Sequence, residues 1–190
     1  MHPNEPRHLL PVVGTNKESK PQQKAADLVM SFKKVNLHPN QVIGAAMARF
    51  AGRRFVTPAT VETQVFNWGT IKWLSEPRVT GTDRFTMGVV LLQPGKGHVR
   101  HNHPGVEEIL YVVSGQGKQM IDIDGEQWEP VNAGDLIHIP ADIFHSTVNT
   151  GWEPLKLIAV YSPPGPEALL RAMSECRVLA PGELPGDLAR

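Results

Sequence analysis

The amino-terminal quarter of the chain carries apolar residues at helical spacing. After a polar stretch that contains four prolines, one stripe begins near residue 22; a second follows Asn40, a common helix-capping residue, and stops before Gly52. The stripes are Ala25, Leu28, Val29, Phe32 and Val35 in the first segment and Ile43, Ala46, Met47 and Phe50 in the second. Steps of three and four residues place each set on one helix face, so the pattern predicts a loose arm and two helices within residues 1–52.

From Phe55 onward the pattern changes to short runs of β-branched and aromatic residues bounded by turn residues. The predicted strands are Gln64–Leu74, Arg84–Gln93, Glu108–Val113, Lys118–Ile123, Glu126–Pro130, Asp135–Ile139, Ser146–Val148 and Leu155–Tyr161. Asp124-Gly125 is a strong signal for a two-residue hairpin, and Pro166 can open a short helix after the last strand. Short strands at regular spacing predict an all-β sandwich or barrel.

A chain of 190 residues is long enough for one well-buried core, and its length does not favour two independent domains. The pattern divides it into an arm with two helices (1–52), a barrel (53–165), and a carboxy-terminal helix with a tail (166–190). No internal repeat is evident along the sequence. One barrel unit is therefore predicted rather than a tandem pair.

Composition and charge remove several function classes. Lys plus Arg and Asp plus Glu number 19 each, so the formal net charge is zero. The sequence also has no block of basic residues that could follow a phosphate backbone, which argues against nucleic acid as a partner. No apolar run is long enough for a bilayer and no signal-peptide pattern opens the sequence, which predicts a cytoplasmic protein with no membrane partner. The single cysteine, Cys176, excludes an intrachain disulfide and is interpreted as a spectator thiol.

The candidate chemistry lies between Gly95 and Asn149. His101 and His103 stand two residues apart, so an extended backbone projects both imidazoles from one face. Glu108 follows on the next predicted strand and His145 on a distant one. Three imidazoles and one carboxylate are an ordinary set of ligands for a divalent first-row metal.

The spacing of these residues resembles the two motifs of the cupin family. In the first motif, Gly95, His101, His103, Glu108 and Gly115 are separated by five, one, four and six residues. The second motif matches at Gly134, Pro140, His145 and Asn149, with Asp142 where the family usually has glycine; Asp tolerates the left-handed turn that such a position needs. The resemblance covers roughly residues 84–163.

The resemblance implies a fold, a metal and an assembly. We expect a cupin double-stranded β-helix, or jelly-roll barrel, with two helices before it and a short helix after it. His101, His103, Glu108 and His145 would hold Fe, Mn, Ni or Zn, and two such chains would form a homodimer. The small-molecule partner would be an oxygenated or carboxylate-bearing compound. Dioxygenation is the reaction expected first, and lyase or isomerase chemistry is the alternative reaction. The non-enzymatic alternative is a protein that binds a sugar or another small ligand and holds a structural metal.

Few other residues stand out as acids or bases. Tyr111 and Tyr161 are the predicted pocket-wall or catalytic residues because each offers a hydroxyl group. His98 and His138 are further proton-transfer candidates. Strict alternation predicts that His98 projects from the face opposite His101, which favours a surface or supporting position for it.

Overall fold

The structure is a computed structural model that describes residues 52–185. The predicted arm and the two amino-terminal helices, apart from Gly52, and the last five residues lie outside the described residues. Within the described range a short 3-10 turn, Pro58–Thr60, and two short helices, α1 (Pro77–Thr80) and α2 (Pro166–Ala172), accompany the strands. Neither of these helices has the length and hydropathy that a membrane crossing requires.

Ten strands account for most of the regular structure between residues 52 and 185. In chain order they are β1 (Thr63–Phe66), β2 (Gly69–Ser75), β3 (Thr86–Leu92), β4 (Glu107–Ser114), β5 (Gln116–Asp122), β6 (Glu126–Asn132), β7 (Leu136–Ile139), β8 (Phe144–Asn149), β9 (Leu155–Ser162) and β10 (Arg177–Leu179). The larger sheet has the antiparallel order β10-β1-β2-β3-β9-β4-β7, and the smaller has the order β6-β5-β8. The predicted all-β jelly-roll barrel is confirmed.

A short extended segment, residues 97–101, extends the smaller sheet along the free edge of β8. Gly97 lies opposite Val148 and His101 lies opposite His145 in antiparallel bridges. The approach is close, since a Cβ on Gly97 would stand 2.0 Å from the Thr147 carbonyl oxygen. Glycine is therefore required here by space rather than by an unusual dihedral angle. This contact closes the barrel at the place where the first histidines lie.

The core lies between the two sheets and follows from period-two alternation. Along β4, Glu108, Leu110 and Val112 are buried, whereas Glu107 and Tyr111 are exposed. The largest fully buried apolar side chains, each at most 2% exposed, are Trp73, Ile71, Leu92, Met120, Ile139, Leu155, Leu157, Val90 and Val112. These apolar side chains form the core, and Glu108 and His145 are among the polar residues that are also buried.

Two details of the strand assignment differ from the sequence-based expectation. The predicted strand Gln64–Leu74 is a hairpin of β1 and β2, turning at Asn67 and Trp68. A Cβ on Gly69 would stand 1.8 Å from the Leu91 carbonyl oxygen, so the returning strand packs closely against β3. The three-residue β10 was not predicted, because a strand this short shows too little alternation to be recognised.

The β7–β8 connection contains the predicted left-handed residue. Asp142 has φ of 68°, the non-glycine residue with positive φ among those described. Its side-chain Oδ1 accepts a hydrogen bond from the Gly105 backbone N–H at 3.0 Å, and its own N–H donates to the His103 carbonyl oxygen at 3.2 Å. Asp142 therefore takes the dihedral angle of the usual glycine and also ties the loop after His103 to the loop before His145.

We predict a defined order of stability for substitutions of Asp142. Alanine should lower the free energy of unfolding by about 1–2 kcal/mol, because it takes the left-handed conformation without a compensating contact. Glycine should lower the free energy of unfolding by about 1 kcal/mol, because it removes the strain and loses only the hydrogen bond to Gly105. Asparagine should have the free energy of unfolding closest to that of the wild type. Urea unfolding of the three variants measures the order.

The matched control is Asp83→Ala, which removes an exposed aspartate whose backbone does not have positive φ. It should remain within about 0.5 kcal/mol of the wild type. An alanine variant at 142 as stable as the glycine variant would show that the left-handed conformation carries no strain.

Candidate metal centre

The backbone brings His101 and His145 face to face. The His101 N–H donates to the His145 carbonyl oxygen at 3.0 Å, and the His145 N–H donates to the His101 carbonyl oxygen at 2.8 Å. Residues that exchange both bonds project their side chains on the same side of the sheet. The two imidazole centroids are accordingly 4.3 Å apart, and the His103 ring lies 4.9 Å from His101 and 5.2 Å from His145.

The three imidazoles converge through their ring nitrogens. One potential ligand nitrogen from each of His101, His103 and His145 lies within 4.8 Å of the other two. The Nδ1 atoms of His101 and His145 face the carbonyl oxygens of Val99 and Ile143 at 2.7 and 2.9 Å. Because a carbonyl oxygen only accepts, the neutral rings are assigned a hydrogen on Nδ1 and a free lone pair on Nε2. This arrangement orients imidazoles as metal ligands require.

Glu108 approaches two of these histidines, His103 and His145, from the larger sheet. Its Oε2 lies 3.0 Å from His145 Nε2 and 3.4 Å from His103 Nε2, and the residue is only 3% exposed. None of these three atoms makes a hydrogen bond of acceptable geometry within the described structure. Burial disfavours the charged carboxylate, but His103, His145 and Tyr161 outweigh that effect and hold the pKa of Glu108 well below its usual range.

The short contact between Glu108 and His145 is the decisive feature of the site. With its hydrogen on Nδ1, neutral His145 directs the Nε2 lone pair at a carboxylate oxygen, so two acceptors face each other at 3.0 Å. Such a contact requires a cation between the atoms, either a proton on His145 or a metal ion. Two donors each about 2.1 Å from one ion stand about 3.0 Å apart at right angles and about 3.4 Å apart at the tetrahedral angle. The distances from Glu108 Oε2 to His145 Nε2 and His103 Nε2, 3.0 and 3.4 Å, match these two values.

The same charges shift the histidine pKa values in opposite directions. Burial, together with the neighbouring His145, lowers the pKa of His101 to about 4, which favours its neutral form. Burial also acts to lower the pKa of His145, but the neighbouring Glu108 carboxylate raises it overall. Without a metal, His145 is therefore the imidazole best placed to take up the proton that Glu108 attracts.

Of the two tyrosines, Tyr161 is the one that lies beside Glu108. It is paired with Glu108 across β4 and β9, is 2% exposed, and packs edge-on against the His103 ring at 5.1 Å. Burial, followed by the charge and hydrogen bonding of Glu108, raises its pKa well above the ordinary value. The phenol thus keeps its hydrogen beside the Glu108 carboxylate.

The structure does not bring Tyr111 or His138 to this group. Tyr111 is 42% exposed on the outer face of β4, because Glu108 and Leu110 set the alternation that turns it outward. His138 lies on the same outer face, with its Nε2 3.7 Å from Glu107. Period-two counting from Glu108 was sufficient to place Tyr111 outside.

His98 lies on the side of His101, contrary to the sequence-based expectation. The two bridge pairs are Gly97 with Val148 and His101 with His145. They are separated by four positions along residues 97–101 but by only three along β8, so the first segment contains one extra residue. Such a β-bulge breaks the alternation. The His98 ring is 5.7 Å from His101 and 4.2 Å from Trp68, and burial, with the nearby histidine charges, lowers its pKa to about 4. Its buried Nε2 has no hydrogen-bond partner among the described residues.

Two relatives and one solved structure place these motifs in a family. Polyketide synthase CurC of Streptomyces cyaneus is 32% identical over 117 residues, which cover 62% of this chain and 74% of that protein. Glucose-6-phosphate isomerase of Thermococcus kodakarensis is 38% identical over 68 residues, or 35% of each chain. The crystal structure of Lactobacillus farciminis oxalate decarboxylase with formate is 27% identical, with a TM-score of 0.51.

The matches cover different shares of the chains compared. The match to oxalate decarboxylase spans 55% of this chain but only 32% of that protein. The family model described as "Cupin domain" matches residues 88–161, which contain His98, the three clustered histidines, Glu108 and Tyr161. Because this match coincides with the barrel and most of a relative is aligned at 32% identity, the chain belongs to the cupin family.

Proposed function

We propose that this protein is a metal-dependent cupin enzyme, with one divalent transition metal held by His101, His103, His145 and Glu108. The observation that carries the proposal is the pair of buried acceptors, Glu108 Oε2 and His145 Nε2, which face each other at 3.0 Å. A further buried nitrogen, His103 Nε2, points at the same carboxylate oxygen from 3.4 Å. Nitrogen and carboxylate donors suit Fe, Mn, Ni or Zn.

The protein residues would prepare the site in three ways. The carbonyl oxygens of Val99 and Ile143 fix the ring orientation of two histidines, and the Tyr161 phenol keeps its hydrogen beside the Glu108 carboxylate. The ionised carboxylate favours a cation, and the surrounding barrel keeps the group away from bulk water. When bound, the metal supplies a Lewis acid or a redox centre.

Dioxygenation of a small oxygenated or carboxylate-bearing molecule is the reaction class that we place first. A lyase or isomerase needs a protein group that takes and returns a proton beside the substrate. Burial and the Glu108 charge raise the pKa of Tyr161, so its phenol holds its proton, while Tyr111 and His138 lie on the outer face of the barrel. A reaction with dioxygen as co-substrate depends less on such a group.

Lyase or isomerase chemistry is the second candidate. The similarity to an oxalate decarboxylase and to glucose-6-phosphate isomerases supports it, and His98 carries a buried ring nitrogen with no partner on the same side as His101. Small-ligand binding over a structural metal is the non-enzymatic alternative.

Metal binding is tested first by elemental analysis. The purified wild-type chain should carry about one transition-metal ion. His101→Ala should weaken metal binding by more than about tenfold, because even changes to groups that only support a ligand cost 10–100-fold. The control is His138→Ala, a histidine on the outer face, which should retain the wild-type metal content. Full occupancy in both variants would count against His101 as a ligand.

Oxygen consumption separates the reaction classes. With Fe(II) restored, we expect uptake of dioxygen that depends on added small phenols or carboxylic acids and is lost in Glu108→Gln. The same compounds are incubated under nitrogen with product analysis by mass spectrometry. Conversion under nitrogen would replace the dioxygenase proposal with the lyase or isomerase one, and tight binding without conversion would support the binding protein.

We also infer that two chains form a homodimer through the outer face of the larger sheet. Ile109, Tyr111 and Val113 occupy successive outward positions of β4 and are 38%, 42% and 38% exposed. Since β4 is flanked by β9 and β7, this apolar stripe lies within the sheet face rather than on a frayed edge. Apolar faces of this kind commonly serve as subunit contacts.

The dimer is tested by light scattering on eluting protein. The wild type should have the mass of two chains, and Tyr111→Lys should shift it to one chain, because a lysine ammonium is costly to bury in an apolar contact. Trp152→Lys is the control, since Trp152 is 96% exposed and lies in the loop between β8 and β9. A wild-type monomer at micromolar concentration would contradict the inference.

A further inference from the structure

A cavity of about 470 Å³ opens between the two sheets, beside the histidine group. Its walls come from β5, β6 and β7, where β6 and β7 are the terminal strands of their sheets and do not pair with each other. The volume lies within the range of small-molecule sites. None of the proposed metal ligands lines it, so it is a compartment adjoining the metal centre rather than the centre itself.

The cavity and the histidine group share a wall. Ile121, which lines the cavity, lies directly opposite His145 across β5 and β8, and Gln119 lies opposite Thr147. Side chains opposite each other in an antiparallel pair are neighbours on the same face. A molecule seated in the cavity would therefore contact Ile121, whose side chain adjoins that of His145.

The lining combines an apolar surface with amide groups. Ile121, Val131 and Ile137 provide the apolar part, and Gln119 and Gln127 provide amides. Gln119 is 3% exposed and is held in place: its Oε1 accepts a hydrogen bond from the Thr147 hydroxyl at 2.7 Å, and its Nε2 donates to the Met120 carbonyl oxygen at 3.1 Å. The second Nε2 hydrogen is left for a ligand oxygen.

The charge of the lining is one-sided. Glu129 and Asp135 both line the cavity together with one histidine, His138, whereas no described lining residue is a lysine or an arginine. The basic residue Arg100 is engaged elsewhere, since it pairs with Asp122 and Glu126 and lies over the Phe144 ring. An anionic ligand would lose hydration here, would find no lysine or arginine in the described lining to pair with, and would meet two carboxylates.

We propose that this cavity binds an uncharged molecule, with an apolar ring or chain against Ile121, Val131 and Ile137 and hydroxyl or carbonyl groups toward Gln119 and Gln127. As a substrate site it rests on the proposed function, and it narrows that function to neutral oxygenated compounds. Carboxylate-bearing and phosphate-bearing compounds are excluded as ligands of the cavity.

The test compares three probes of one shape and different charge. Calorimetric titrations of the full chain use 1-naphthol, 1-naphthoate and 1-naphthyl phosphate at neutral pH, first as purified and then after chelation. Chelation matters because a bound cation would itself attract a carboxylate. In the chelated protein 1-naphthol should bind at least about tenfold more tightly than either anion, since burying an unpaired charge is unfavourable.

Two substitutions at Gln127 test the location. Gln127 is exposed, so replacing it should not compromise folding. Gln127→Trp should fill the cavity and so weaken 1-naphthol binding by about tenfold. Gln127→Lys should add a positive charge and so change the ratio of the 1-naphthoate and 1-naphthol affinities by about tenfold in favour of 1-naphthoate. The controls are Gln116→Trp and Gln116→Lys, which place the same side chains on an exposed position of β5 outside the lining.

The outcomes separate this inference from the proposed metal chemistry. Binding of 1-naphthol by chelated protein supports the cavity assignment whatever elemental analysis finds. The assignment is overturned if an anion binds the chelated wild type as tightly as 1-naphthol, if none of the probes binds, or if the Gln127 variants behave like the Gln116 controls. Metal content decides the metal proposal separately.

Discussion

Two hydrogen-bond acceptors held against each other in a closed barrel are the constraint on which this structure depends. The Ile143 carbonyl oxygen fixes the hydrogen of neutral His145 on the far ring nitrogen, and the near nitrogen then meets the Glu108 oxygen at 3.0 Å. Bulk water cannot relieve that contact, because both residues are nearly inaccessible. The arrangement is stable only with positive charge between them, either a proton on His145 or a bound cation.

Residues far apart in the sequence reach this contact through backbone pairing. The doubly hydrogen-bonded pair of His101 and His145 joins the two motifs, and the Asp142 turn ties their loops together. Glu108 approaches from the larger sheet, with Tyr161 opposite it on β9. The geometry therefore depends on both sheets, and a loss of packing between them would separate Glu108 from the histidines before it separated the histidines from one another.

The sequence was sufficient to predict the barrel, its strands in outline and the residues that converge. Alternation is clear in β3, β4, β7 and β9, where one face of the strand is buried. The motif spacing correctly selected Glu108 over Glu107 as the inward carboxylate. The left-handed turn at Asp142 also followed from residue type. The predicted amino-terminal helices remain predictions.

The errors have definite physical causes. His98 was placed on the wrong face because a bulge is a property of pairing between two strands, and alternation in one strand cannot reveal it. Tyr111 was considered for the pocket on its hydroxyl alone, although counting from Glu108 turns it outward. The β1–β2 hairpin was missed because its turn contains Trp68, whose type resembles a strand residue. The cavity and the charge of its lining were not predicted, because residues from three strands form it and no short stretch of sequence contains them together.

The extra residue between Gly97 and His101 has a consequence for how this family member can vary. Val99 lies within that stretch and is 83% exposed, so its side chain is under little restriction from packing. The number of residues in the stretch is a different matter, because it fixes which imidazoles turn inward. Homologous sequences should therefore vary in residue type between Gly97 and His101 but keep the same number of residues there. An alignment scored on residue similarity alone would overlook this constraint on length.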